Sequence, residues 1–303
     1  MRWSVALLLL VGLASAASAD VERTAAPDTQ ARVAALLRAL TDSDPLIRGA
    51  AGKALRELGP EAGDAVPWLI QALGDSHVGV RAGAAGGLGG LGPDASAAVP
   101  ELTRALGDEH RFVRSWAAMA LAEIGPAARP AGRALAAMLA SDHENLRGRS
   151  WCASALPLVE ADAEVAVPAL LAALEDPSDE VRAVAVLSLE AYLQRSPEVA
   201  GSVLPDLVRR LHDEHWKVRG NAACALGYAG EDASWVLSDL VVALSDSAPY
   251  VRGCAAQGLG GHGRRARSAL PQLRSATLDE DDDVRRRARQ ALNQISSPPA
   301  AAP

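Results

Sequence analysis

An arginine that in all but the fourth unit follows a branched apolar residue returns through this chain at Arg48, Arg81, Arg114, Arg149, Arg182, Arg219, Arg252 and Arg285. The spacing is 33 residues in most intervals, widened at the fourth and fifth units. A period in the ~20–50-residue range marks a repeat architecture, in which each unit is too small to bury its own apolar face and must stack on its neighbours. A single globular core is therefore not what this chain builds.

Other columns keep step with the arginine. An aspartate stands six residues before it in seven units: Asp42, Asp75, Asp108, Asp176, Asp213, Asp246 and Asp279. A leucine lies seven after it, from Leu55 to Leu292, and a proline stands fourteen before it at Pro67, Pro100, Pro168, Pro205 and Pro271. The apolar columns recur at three and four residues, so each unit reads as two helices. Leu-Gly-Pro at 58–60 and 91–93 and Ile-Gly-Pro at 124–126 end second helices, since glycine accepts the left-handed C-terminal conformation and proline cannot continue the helix. Asp44-Pro45 supplies a capping acceptor followed by proline at the first helical position. The two extra residues of the fourth unit belong to its internal loop at 141–148, and the four extra residues of the fifth fall near Ser196-Pro197.

These columns resemble the HEAT-like repeats first noted in phycobilisome lyases, over residues 30–296. The resemblance implies an all-α, right-handed α-solenoid of about eight two-helix repeats, with the aspartate of one repeat paired to the arginine of its neighbour in a ladder. A partly desolvated ladder selects register, whereas an exposed pair contributes only about 0–1 kcal/mol. Aromatic residues are just 3% of the chain and alanine is abundant, which suits closely stacked helices.

Residues 1–19 read as a secretory signal peptide: Arg2, an apolar stretch at 5–13 and the small-residue ending Ala17-Ser18-Ala19. Cleavage after Ala19 is expected, with a periplasmic or secreted destination; a retained anchor is the alternative. Residues 20–29 form a lead-in, and the Pro/Ala-rich segment 297–303 reads as a disordered tail. The whole chain carries a formal charge of −7, and removing the segment takes Arg2 with it, leaving −8. That balance disfavours nucleic acid and anionic lipid as partners.

Cys152, Cys224 and Cys254 sit on second helices at +3, +5 and +2 from the arginine. Cys224 and Cys254 occupy adjacent repeats but different columns, so all three are expected to be small buried hydrophobes and not a bridge. His77, His110 and His215 stand at −4, the position where Asp44 caps a helix, and His143 lies in the equivalent loop; capping or solvated roles are expected, since a row of imidazoles one repeat apart does not converge on one metal ion. The run at 83–92 carries so many glycines that its second helix is expected to be loosened. At 279–289 an acidic run precedes a basic one, as a solvated terminal helix favours.

The resemblance extends to an enzyme of similar repeats, deoxyhypusine hydroxylase, whose iron ligands are His-Glu pairs directly after the repeat arginine. Here those positions read Gly49-Ala50, Ala82-Gly83, Ser115-Trp116, Ser150-Trp151, Ala183-Val184, Gly220-Asn221, Gly253-Cys254 and Arg286-Arg287, none with a ligand. A bilin-lyase reading likewise has no residue-level anchor, so no catalytic constellation and no cofactor are assigned. The informative surface is the second-helix face, expected to line the concave side. At +2 and +5 the middle units carry Trp116, Met119, Trp151, Val184 and Leu187, whereas flanking units carry Gly83, Gly86, Asn221 and Gln257. Large apolar side chains confined to the middle of a small-residue column suggest a site for a protein or peptide partner. Filling space between alanine-rich helices is the alternative role.

Overall fold

In the computed structural model, residues 29–141, 146–230 and 233–296 are described, and no strand occurs among them. The expected signal segment, the loop residues Asp142, His143 and Glu144 and the Pro/Ala-rich segment 297–303 lie outside the described residues. Every repeat is a helix pair, and the chain is an α-solenoid that groups into two compact units, one ending at Ile124 and the other beginning at Gly125.

The N-terminal unit contains α1 (Thr29–Ala39), α2 (Pro45–Leu58), α3 (Val66–Ala72), α4 (Val78–Gly90), α5 (Val99–Ala105) and α6 (Arg111–Ile124). The second helices α2, α4 and α6 lie side by side. Short 3-10 turns at Gly59–Ala65 and Gly92–Ala98 lead each pair into the next. Gly59 takes φ +60°, which a side chain would strain, and this is why glycine ends α2. Asp44 caps α2 by accepting from the Leu46 amide at 2.8 Å, with Pro45 at the first helical position.

The glycine-rich helix α4 departs from expectation. It runs unbroken from Val78 to Gly90, and its glycines are where α2 approaches most closely. A Cβ on Gly83 would stand 2.6 Å from the Gly49 carbonyl oxygen, and one on Gly90 would stand 2.6 Å from that of Arg56. The glycines that weaken intrinsic helix propensity thus permit backbone contact that packing rewards.

The C-terminal unit contains α7 (Gly132–Ser141), α8 (Leu146–Leu158), α9 (Ala163–Ala173), α10 (Asp179–Arg195), α11 (Ala200–Arg210), α12 (Trp216–Ala225), α13 (Leu237–Ala243), α14 (Pro249–Gly261), α15 (Leu270–Ala276) and α16 (Asp282–Ser296). Its second helices α8, α10, α12, α14 and α16 again pack in sequence. The four extra residues of the fifth repeat lengthen α10 to 17 residues, ending at Arg195. Tyr192 fills that added turn: it is buried, and its hydroxyl lies 3.1 and 2.9 Å from the carbonyl oxygens of Leu156 and Ala161, donating to either. Burial pushes its phenol up to about 12.

The arginine column forms the ladder. Arg48, Arg81, Arg149, Arg182, Arg219 and Arg252 each donate Nε and Nη2 to the two carboxylate oxygens of the next repeat's Asp75, Asp108, Asp176, Asp213, Asp246 and Asp279. Arg48 Nη1 turns back to its own loop and donates to the Asp42 carbonyl at 2.8 Å. Each aspartate also accepts from a backbone amide two residues on, as Asp75 does from His77 at 2.8 Å. One guanidinium therefore ties its own loop to the next, and both ions are satisfied while partly desolvated.

Candidate functional site

At several contacts between neighbouring second helices, a residue on one faces a position one turn earlier on the next. Within the N-terminal unit a Cβ on Gly86, at +5, would stand 3.3 Å from Cε3 of Trp116, at +2. Within the C-terminal unit Cys224, at +5, meets Cys254, at +2, with Cα atoms 4.8 Å apart, and the two form a disulfide. This corrects the expectation of three separate thiols. Comparing like columns assumed no stagger, and the three-residue offset is what brings +5 onto +2. Cys152 is buried, as expected.

The five expected site residues divide between the units. In the first, Met119 is only 6% exposed and so offers nothing to a ligand, which corrects its place on the presented face. Trp116, one turn earlier on α6, is half-buried, with the Arg56 guanidinium 5.3 Å from its ring. Arg56 in turn pairs with Glu123 at 2.7 Å and donates to the Gly86 carbonyl at 3.1 Å. Trp116 thus fills the space above a glycine beneath an ion pair. In the second unit, Trp151 on α8 and Val184 on α10 are half-buried, whereas Leu187, one turn beyond Val184, is 50% exposed.

Two aromatic residues absent from that set lie on the helices that follow. Trp216 begins α12 and Tyr250 lies in the first turn of α14; their rings meet edge to face at 5.5 Å. Tyr250 occupies the same stagger, because a Cβ on Gly220 would collide with its ring. Its hydroxyl donates to Asn221 Oδ1 at 2.7 Å, while Asn221 Nδ2 donates to the Ala183 carbonyl at 3.1 Å, so three second helices hold one ring in place. Even so, Trp216 and Tyr250 remain 41% and 37% exposed. Burial raises the Tyr250 phenol, with the negative charge of Glu190 adding to the rise and Arg287 opposing it. Burial likewise raises the Glu190 carboxyl, against a hydrogen bond from Gln194 at 3.1 Å. The sequence signal for the pair was present, as aromatic side chains at −3 and −2, but only the +2 and +5 columns were taken to face outward.

Two of the three described histidines of the column cap their helices. His77 Nδ1 accepts from the Gly79 amide at 3.2 Å and His110 Nδ1 from the Phe112 amide at 3.4 Å. His215 stacks on Trp216 and places Nε2 3.2 Å from Asp179. Among the described residues no group of three or more His, Cys, Asp or Glu side chains is placed to hold a metal ion. No helix among them is long and apolar enough to cross a membrane.

Comparison with known proteins agrees with this geometry. Residues 66–157, 167–241 and 237–303 match the family model of HEAT repeats. Among solved structures, an engineered protein superposes with a TM-score of 0.65 at 21% identity, covering 87% of this chain and 78% of its own. The YIBA protein of E. coli gives 0.62 at 21% identity, covering 91% and 99%. The complex of CpcE and CpcF of phycocyanin lyase from a Nostoc species gives 0.50 at 21% identity, covering 93% and 99%. At such identities the likeness is one of fold. No curated protein sequence matches the chain.

Proposed function

The chain belongs to the HEAT repeat family, and from that premise we propose that it is an exported scaffold binding a protein or peptide partner on the second-helix face of its C-terminal unit. The observation that carries this reading is the exposure of Leu187, Trp216 and Tyr250 on successive second helices, α10, α12 and α14. Large apolar and aromatic side chains left in water on a rigid support are what interfaces concentrate, because covering them recovers hydrophobic free energy at little ordering cost. Tyr250 is already fixed by Gly220 and Asn221, so it presents a preorganised anchor.

Export is supported by the signal-like first nineteen residues and, independently, by the Cys224–Cys254 disulfide, since such bridges persist in oxidising compartments. A hydroxylase-like activity lacks His-Glu pairs after the repeat arginines, a bilin-lyase-like one has no residue-level anchor, and the scaffold role requires no reaction. The test is affinity capture from the envelope fraction with the mature chain and with a Leu187→Asp, Tyr250→Ala variant. A partner retained by the first and lost by the second, at matched melting temperature, supports the proposal; identical capture by both refutes it.

A further inference from the structure

The disulfide does not sit among apolar side chains alone. Arg287, from α16, reaches back so that Nη1 lies 3.6 Å from Cys254 Sγ and 3.9 Å from Cys224 Sγ. The guanidinium is held in that position on two other sides, by Gln257 Oε1 at 2.9 Å and by Asp283 Oδ2, which accepts from Nε at 2.7 Å. The two sulfurs are unequal. Cys254 is fully buried and nearer the cation, whereas Cys224 is half-buried. A fixed cation is only a weak donor to the sulfurs of a closed bridge but does far more for a bridge that opens, because the departing sulfur leaves as an anion.

The geometry points to a thiol–disulfide exchange site on the second-helix face, in which a thiol-bearing ligand attacks Cys224 and Cys254 leaves as a thiolate held by Arg287. The incoming thiol first gives its proton to solvent. Its thiolate then forms a new S–S bond to Cys224 Sγ as the Cys224–Cys254 bond breaks, and the bonding pair departs on Cys254 Sγ. The ligand sulfur is oxidised into the mixed disulfide and Cys254 is reduced, so electrons balance within the step. Attack by the Cys254 thiolate on the mixed disulfide reverses it and expels the ligand. The direction follows from the inequality of the two cysteines: the less buried one is attacked, and the one whose sulfur lies closer to the cation leaves.

The probe is glutathione added to the full mature protein under native conditions, with acid quenching and mass mapping of each cysteine. The expected result is a glutathione adduct on Cys224, with Arg287→Gln slowing its formation about tenfold and Arg287→Lys restoring most of the rate. A far-ultraviolet circular dichroism spectrum establishes that each variant is folded. Should Arg287→Gln fail to fold, Gln257→Ala loosens the same guanidinium without removing it and is expected to slow exchange by a smaller factor. The inference is overturned if the purified chain contains no bridge, if the bridge opens only on denaturation, if the adduct maps to Cys254, or if folded Arg287 and Gln257 variants exchange at the wild-type rate. None of these outcomes depends on partner capture, so the scaffold reading stands or falls separately.

Discussion

Arg182 grips Asp213 across 31 residues with Nε and Nη2 both at 2.9 Å, reproducing the fork that Arg149 makes with Asp176 across 27. The four inserted residues are absorbed by the longer α10 and the turn at Pro197–Val199, and the ladder continues in register. The pair is also well shielded, with side chains 7% and 3% exposed.

Breaking that rung leaves the buried Asp213 carboxylate with only the longer contact to Arg210 at 3.6 Å. Arg182→Ala is expected to cost about 3–5 kcal/mol, the range for removing one partner of a buried pair. Urea unfolding measures it; Arg48→Ala, at the more exposed end, is expected to shift the midpoint less. Equal shifts would show that shielding does not govern the ladder.

Acid acts in two stages. Burial lowers the His262 imidazole below its ordinary value, so the unfolded chain takes up that proton first and stability declines as pH falls below about 6.5. Hydrogen bonding from Arg48 and Arg252 lowers Asp75 and Asp279, so their contribution is full above the ordinary carboxylate range and is lost as pH falls through the depressed values. Melting temperature against pH is expected to show both declines, and His262→Gln to remove only the first.

Glycine carries opposite signs at two positions. A Cβ on Gly52 would stand 2.6 Å from the backbone of Gly83, so Gly52→Ala is expected to destabilise by about 1–3 kcal/mol. Gly201, within α11, has nothing within 4 Å of its Cβ position, and Gly201→Ala is expected to stabilise by up to about 1 kcal/mol. Thermal unfolding of both variants checks the pair.

Reducing the bridge should be visible in mass and in stability. The mature chain is expected to gain two hydrogens on reduction, and Cys254→Ser to lose about 3–4 kcal/mol for a loop of this length. An unchanged mass would remove the bridge from the account.

The repeat was legible because each column has one physical job. Arg48 and Asp75 stand in the two columns that the HEAT-like resemblance pairs across neighbouring repeats, and Asp44-Pro45 declares a helix start by local chemistry. What escaped was lateral. Whether Cys224 meets Cys254, or Gly220 seats Tyr250, depends on the stagger between adjacent helices, which no single helix encodes. The glycine run in α4 was lateral too, since its poor helix propensity signalled close backbone contact with α2. Met119 shares a face with Trp116 in sequence, yet only packing decides that one is closed off and the other half-open.

The central claim is that Leu187, Trp216 and Tyr250 mark the surface a partner covers. A photoreactive amino acid placed at Leu187, and in a second protein at Val242, which is 66% exposed on the first helix α13, tests it directly in the native envelope. The account predicts a discrete crosslinked species from position 187 that position 242 does not give. Crosslinking from 242 alone, or equally from both, would contradict it.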